Sequence, residues 1–548
     1  MNLDYRIETE AVIIGGGATG SGVLRDCALR GIACILIERD DFASGTTGRN
    51  HGLLHSGARY AVTDEHSARE CIRENQILKR VANHCIENTQ GLFISLPEDD
   101  FGFQKRFLEA CHHVDIPTRT LDPRQALAIE PSCNPSLLGA VSVPDGTIDP
   151  FRLCTANILD AKRHGARVFN HCTVTSLIRK TDRVVGVRVY NHKTQQYFEV
   201  YAQQVINAAG IWGQNICEYA ELDVKMYPAK GSLLILNHRI NNTVINRCRP
   251  PADADILVPG DTISLIGTTS EHIDYSEIDH LKVTPQEVDT LLTEGAKLAP
   301  SMRTTRVLRA YAGVRPLVSL NHDQRGRDIS RGIVLLDHEQ RDGLTGLTTI
   351  TGGKLMTYRL MAEQTTDIIA KKLNNTQPCL TKVKPLPGSE STSALTRFRD
   401  KQISVFQSAE YRHGAKALEQ MDGANDASSI ICECEMITSG ELNYAIQHLD
   451  VRNLIDLRRR TRLGMGPCQG EMCTYRAANL LSCSDNILDK DLNQLLCEFL
   501  EERWKGVTPI LWGDALREAE FSQWTFEGLM GISRSDVSTN EHQREETL

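Results

Sequence analysis

The run from Ala11 to Glu38 constrains the fold more than any other stretch of this chain. Ala11-Val-Ile-Ile14 reads as a short apolar strand and Gly15-Gly16-Gly17-Ala18-Thr19-Gly20 as a glycine turn. A helix-like segment then leads to a second strand, Cys34-Ile-Leu-Ile37, closed by Glu38. Strand, turn, helix, strand and terminal acid is the order of a dinucleotide-binding βαβ unit. Gly15 and Gly17 let backbone approach a pyrophosphate, and Gly20 lets the helix close onto the strand. The helix N-terminus offers unpaired N–H groups to the anion. Glu38 falls where a carboxylate accepts hydrogen bonds from ribose hydroxyls. A glycine turn alone is a weak signal. With both strands and the acid it predicts a nucleotide cofactor site.

The chain has 548 residues, enough for more than one domain. Its formal net charge of −9 gives no electrostatic case for nucleic acid and argues against direct binding to an anionic membrane. No run of about 18 apolar residues marks a membrane span. Met1 to Glu10 is polar and acidic, unlike a signal peptide. Of the 17 cysteines, thirteen sit singly in apolar or helical surroundings, as Cys27, Cys71 and Cys154 do, and read as reduced, buried thiols.

Residues 1–380 alternate short apolar strands with amphipathic helices and carry a sheet-rich insertion, the pattern of an α/β cofactor domain with a substrate domain built into it. Ser67–Cys85 is expected to be helical. Arg183–Val189 and Tyr197–Val200 are expected to pair across a polar turn, and Val205–Ala209 to form a separate short strand ending at Gly210. Further strands are expected at 264–267, 333–336 and 348–351. Residues 381–427 read as a linker, with Pro385–Ser393 its clearest part. A compact cysteine-bearing module is expected over 428–481. A helical extension with Trp504, Trp512 and Trp524 follows over 482–548, ending in a polar tail from Ser533.

Ile14-Gly-Gly-Gly-Ala-Thr-Gly-Ser-Gly22 with Asp26 and Arg30-Gly31 resembles the first signature of the FAD-linked glycerol-3-phosphate dehydrogenases. Gly352-Gly353-Lys354-Leu-Met-Thr-Tyr358-Arg359-Leu-Met-Ala362 resembles the second. With the cysteine module added, the resemblance is to the catalytic A-type chains of the anaerobic branch of that family, end to end. It implies a Rossmann-like FAD-binding domain with an inserted, sheet-rich, D-amino-acid-oxidase-like substrate domain, plus a small helical cysteine module. The residues themselves agree with a resident flavin. Thr46-Thr47-Gly48-Arg49-Asn50-His51-Gly52 is a loop of polar donors with little bulk, able to wrap a bound cofactor, and Asn207-Ala-Ala-Gly210 ends a strand in a second close backbone approach. Gly352-Gly353-Lys354 is not a P-loop, because Thr348 and Leu355 stand where that motif needs Gly and Ser or Thr. It reads as a strand end and helix start, able to stabilise negative charge on a reduced flavin ring.

Glycerol 3-phosphate, the substrate the resemblance implies, carries a phosphate dianion and a secondary alcohol. The first calls for fixed arginine or lysine, the second for a hydride acceptor and a base. The resemblance places Arg59 and Tyr60, in His55-Ser-Gly-Ala-Arg59-Tyr60, and Arg315, in Gly313-Val-Arg315-Pro316, in the pocket, together with Thr268, Arg331 and Lys354. Aerobic relatives carry a histidine after Lys-Gly-Ser, whereas this chain reads Lys230-Gly231-Ser232-Leu233. Leucine accepts no proton, so the base is open between Lys354, His55 and a water held by Arg315.

Cys432-Glu-Cys434 and Cys468-Gln-Gly-Glu-Met-Cys473 form two close pairs. Four paired thiolates suit a [2Fe–2S] cluster or a tetrahedral zinc, and the single-residue spacing of the first pair favours iron–sulfur. The set resembles the bacterioferritin-associated ferredoxin domain. Gly464, Gly466 and Gly470 are expected to let backbone N–H groups reach the sulfurs. Arg458-Arg459-Arg460-Thr461-Arg462 reads either as a solvated helix face or as a patch that neutralises an anionic cluster or docks an acidic partner. The resemblance further implies two partner subunits, one flavin-bearing and one an iron–sulfur membrane anchor that reduces quinone. The chain would then sit peripherally on the cytoplasmic face of the inner membrane. Two alternatives stay beside this reading: an FAD-dependent oxidase of another anionic hydroxy or amino substrate, and a catalytically silent electron-transfer subunit.

Overall fold

The computed structural model describes residues 5–318, 332–390, 405–416, 426–484 and 492–532. An eight-stranded sheet forms the cofactor domain. Its centre is parallel: Arg6–Ile14 lies between Gln196–Asn207 and Cys34–Ile37, and Arg167–Phe169 closes one side. These strands are near-continuous apolar runs because helices cover the sheet. Ala18–Leu29, Pro150–Arg163 and Tyr358–Lys372 bury apolar side chains against it, with Val23, Leu24, Ile158, Met361 and Ile369 in one cluster.

The strand expected at Val205–Ala209 is the end of one longer strand, Gln196–Asn207. Gln203 and Gln204 break the apolar pattern without breaking the ladder. The first half pairs antiparallel with Arg183–Asn191, and the last residues pair parallel with Leu347–Gly352. That second pairing brings the two glycine motifs, more than 300 residues apart in sequence, to neighbouring strand ends.

A nine-stranded sheet forms the substrate domain. Its spine is the long antiparallel pair Met226–Leu236 and Val307–Val318, which places Leu233 opposite Tyr311 and Ala229 opposite Arg315. This is the α/β cofactor domain with an inserted sheet-rich domain read from the sequence.

Residues 381–427 are not a free tether where they are described. Leu386 is fully buried beside Leu78 and Val81. Its N–H donates to the Val81 carbonyl at 2.7 Å, and Ser389 Oγ meets His84 Nδ1 at 2.6 Å. Helix Val405–His413 follows, with Arg412 buried on Glu441. The cysteine module packs helices Ser439–His448, Leu454–Thr461 and Thr474–Ser482 around Leu442, Leu457 and Ala477. Leu495, Phe499 and Phe526 from the following helices enter the same core, so the expected extension completes the module. The tail from Ser533 lies outside the described residues. Most of the thirteen single cysteines are buried, but Cys379 is half-buried and Cys483 exposed.

Candidate functional site

The glycine turn has the form its sequence predicts. Gly15 takes φ +108°, and a Cβ there would stand 2.6 Å from the Ala208 carbonyl oxygen, so the Ala208–Gly210 segment passes directly over the turn. A Cβ on Gly20 would meet the Gly15 carbonyl oxygen, so the missing side chain is what lets helix and turn touch. The motif's Asp26 and Arg30 are a buried ion pair at 2.7 Å on the far side of the helix. Arg359 of the second motif is likewise structural, donating to both Glu74 oxygens at 2.7 and 2.6 Å.

Glu38 accepts from the Gly16 N–H at 2.6 Å and the Asp40 N–H at 2.8 Å. Burial pushes its carboxyl up to about 7 against the pull of those two donors. Thr47 Oγ1 accepts from the Ala18 N–H at 3.0 Å, which draws the loop after the second strand onto the helix N-terminus. Thr46 Oγ1 donates to the Val314 carbonyl at 2.5 Å, tying the same loop to the substrate sheet. Asn50 is spent on loop shape: it donates to the Thr47 carbonyl at 2.6 Å and accepts from the Gly52 N–H at 2.7 Å.

One cavity of about 920 Å³ collects nearly every residue expected from the sequence. Gly15, Gly17, Glu38, Thr46, Thr47, Asn50 and Gly210 line its nucleotide end. Arg59, Tyr60, Thr268, Arg315, Gly352, Gly353 and Lys354 line the other. Gly20 lies behind the turn, in its packing role. Arg331 lies outside the described residues. At the second end Arg315 donates to Thr268 Oγ1 at 2.6 Å and to the Thr269 and Lys230 carbonyls at 3.1 and 3.3 Å. Arg59 meets Asp255 at 3.0 Å, while its buried Nη1 has no acceptor. Lys354 Nζ stands 4.5 Å from the Tyr60 ring centre, and His55 packs edge-on against the same ring at 5.5 Å. Leu233 is 1% exposed and lines this cavity, so the position expected to hold a histidine is inside the pocket and apolar. His51 also lines it, 6.1 Å from His55. The sequence presents His51 as one polar residue among several, with no spacing that singles it out.

The cysteines meet as two pairs, Cys432 with Cys473 and Cys434 with Cys468. Cys434 donates to Cys468 and pulls its thiol down to about 6, assisted by the backbone N–H groups of Met472, Gly470 and Glu471. The Gly464 and Glu435 N–H groups do the same for Cys432, which Cys473 lowers most. A Cβ on Gly466 would stand 2.5 Å from Cys434 Cβ. Backbone N–H groups reach the sulfurs at Gly464 and Gly470, while Gly466 makes room for Cys434.

The arginine run before the second cysteine pair takes neither expected role in full. Arg460 is a bidentate partner of buried Asp41, at 2.6 and 3.0 Å, and Arg459 reaches the same carboxylate at 3.1 Å. Arg462 bridges Asp261, Asp149 and the module's own Glu435. These contacts clamp the module onto the flavin and substrate domains. Asp456, His171 and Asp41 bring three ligand-type atoms within 4.8 Å of one another. His171 bonds Asp456 at 2.9 Å and the arginines hold Asp41, so this cluster is part of the clamp. Burial opposes charge on His171, but Asp456 and Asp41 outweigh it and raise its pKa.

The FAD dependent oxidoreductase family matches residues 10–359, and the BFD-like [2Fe-2S] binding domain matches residues 430–482. The A chain of the anaerobic glycerol-3-phosphate dehydrogenase of Escherichia coli K12 is 59% identical over 96% of this chain and 97% of its own length. The chain belongs to that family of FAD-dependent oxidoreductases. The A1 chain of the same enzyme from Haloferax volcanii is 40% identical over 92% of this chain and 88% of its own. The family fold extends to a solved structure, the glycerol-3-phosphate dehydrogenase of Bacillus halodurans complexed with FAD. It superposes with a TM-score of 0.69 at 24% identity, covering 92% of this chain and 96% of that one. Among the described residues no helix is long and apolar enough to cross a membrane.

Proposed function

We propose that this chain oxidises sn-glycerol 3-phosphate to dihydroxyacetone phosphate and passes the electrons through its cysteine module to partner subunits and, through them, to quinone. The observation that carries this is the single cavity joining a nucleotide cradle to Arg59, Arg315 and Lys354. Relatives at up to 59% identity bear the name of that enzyme. FAD, when bound, supplies the hydride acceptor; the cradle at Gly15–Gly20 and Glu38 fits its pyrophosphate and ribose. Arg315 and the unpartnered Nη1 of Arg59 bind the phosphate. Thr268, held by Arg315, orients the substrate oxygens. With Leu233 unable to act, the proton of the C2 hydroxyl goes to an imidazole of the His51–His55 pair, beside Tyr60 and Lys354. Dihydroxyacetone phosphate formed from glycerol 3-phosphate with an artificial acceptor, and no turnover of amino acids, is the expected assay result. Turnover of amino acids instead would favour the oxidase alternative.

The cysteine quartet suits a [2Fe–2S] cluster better than zinc. A tetrahedral zinc draws four sulfurs to about 3.8 Å from one another. Among the described residues, no three of these sulfurs lie within 4.8 Å of one another. Cys432, Cys434, Cys468 and Cys473 would hold such a cluster, which would take electrons from the flavin one at a time. Metal analysis giving zinc without iron would overturn this. Met472, between the last two ligands, is 64% exposed and gives the cluster a short route to a partner. The closing helix, Gly513–Trp524, and the residues after it expose Phe521, Trp524 and Leu529, an apolar face of the kind that docks a partner protein. Residence on the cytoplasmic face of the inner membrane then follows from the anchoring partner.

A further inference from the structure

A second cavity, of about 690 Å³, lies where the flavin domain, the substrate sheet and the cysteine module meet. It shares Ser44, Arg49, Asn50 and His51 with the flavin pocket. At its other side it reaches Met465, close before Cys468. Part of its wall is apolar, with Phe151, Ile235, Leu265 and Val283. The rest carries Arg49, Arg309, Arg458 and Lys505 around one carboxylate, Glu502. Burial raises the Glu502 pKa, but those four cations outweigh it and hold the carboxyl below its ordinary value. The remaining carboxylates of the wall, Glu87, Asp149 and Asp261, are taken by Arg239, Arg152 and Arg462.

Arg458 carries the point. Its buried Nε has no acceptor, and among the described residues neither Arg458 nor Arg49 makes a side-chain hydrogen bond or ion pair. Arg309 also leaves Nε without a partner and touches Glu502 only at 3.5 Å. Burial, then Arg309, act against charge on Arg458. A guanidinium stays charged all the same. Arg309 is buried and Arg458 and Arg49 are half-buried, while Lys505 is exposed; cations gathered this way around one carboxylate gain from an anion that joins them.

We infer that this cavity is a second ligand site, taking a small molecule with a phosphate-type head and an apolar body, between the flavin pocket and the cysteine module. The volume is that of an ordinary small-molecule site. The surplus of positive charge favours a dianionic head over a carboxylate, and the arginine forks suit phosphate geometry. The ligand would touch the loop from Ser44 to His51, so its occupancy would be felt at the flavin. Nothing in this depends on which substrate the first pocket takes.

The test is calorimetry on the flavin- and metal-loaded protein, with phenyl phosphate as probe for head and body and inorganic phosphate for the head alone. An Arg315→Ala background that also carries Arg59→Ala removes both arginines of the anion site of the first pocket. In that background phenyl phosphate is expected to bind once. Arg458→Gln is expected to weaken it about tenfold. Leu265→Trp should exclude phenyl phosphate while leaving inorganic phosphate bound. Without ligand, Arg458→Gln should melt no lower than its parent, because it removes an unpaired charge. No binding in that doubly substituted background, binding indifferent to Arg458→Gln, or a lowered Tm would each overturn the assignment.

Discussion

The flavin pocket and the joint between flavin domain and cysteine module are both rich in arginine, and they use it in opposite ways. In the pocket, Arg315 donates to a hydroxyl and to carbonyls, and Arg59 keeps one buried nitrogen without an acceptor. In the joint, Arg459, Arg460 and Arg462 are paired with Asp41, Asp149, Asp261 and Glu435. Donors with capacity left mark a place for a ligand, and donors matched to carboxylates mark structure. By this measure Arg458 and Arg49 belong with the pocket, although Arg458 lies in the middle of the joint's own helix.

Cys468→Ser should have the largest effect on the module side. It removes one ligand, and the protein should lose its iron–sulfur absorbance while keeping FAD and substrate-driven flavin bleaching. On the pocket side, Arg315→Ala should lower kcat/KM for glycerol 3-phosphate by about 10²–10³-fold with FAD still bound, since it deletes a charge-assisted contact to the phosphate. Turnover near the parent level would remove Arg315 from the pocket. Arg460→Ala tests the joint. It leaves buried Asp41 with Arg459 and the neighbouring His171 and should cost about 3–5 kcal/mol by denaturant titration. Its flavin should still bleach with substrate at the parent rate, but electron arrival at the module should slow. If it melts like the parent, the clamp is not what holds the module.

The smallest effect concerns Glu38. Its carboxyl, at about 7 before FAD is added, must be ionised to accept from the ribose hydroxyls. FAD binding therefore favours the deprotonated form and releases a proton. Affinity should be full above that pKa and fall as pH drops through it, by up to about tenfold per pH unit. Glu38→Gln should bind FAD more weakly and flatten this dependence, as read by flavin fluorescence quenching between pH 5 and 8 (roughly the carboxylate-to-imidazole titration range).

What the sequence made legible follows the same division. The cradle could be read because its rules are local: a close approach needs glycine, and the acid must end the next strand. The cysteine set could be read because the ligand type and spacing are the chemistry. The arginine run could not. Arg460 is 419 residues from Asp41, and Arg462 is 313 from Asp149, so no local pattern separates a clamp from a solvated helix face. Residues 381–427 read as a tether because proline, glycine and serine dominate Pro385–Ser393. Leu386, buried in one cluster with Leu78 and Val81, and Ser389 on His84 fasten that segment. His51 is hidden for a third reason. Its relation to His55 and Tyr60 exists only once the loop is folded by Asn50 and Thr46.

The claim at the centre is that electrons from a phosphorylated alcohol enter at the flavin pocket and leave through the cysteine module of the same chain. An anaerobic titration of the complete, cofactor-loaded protein with glycerol 3-phosphate, with flavin absorbance and EPR recorded on the same samples, tests it most directly. The expected result is flavin bleaching accompanied by the growing signal of a reduced [2Fe–2S] centre, with amino acids producing neither. A flavin that bleaches while the module stays EPR-silent, or one that bleaches with amino acids and not with glycerol 3-phosphate, would contradict it.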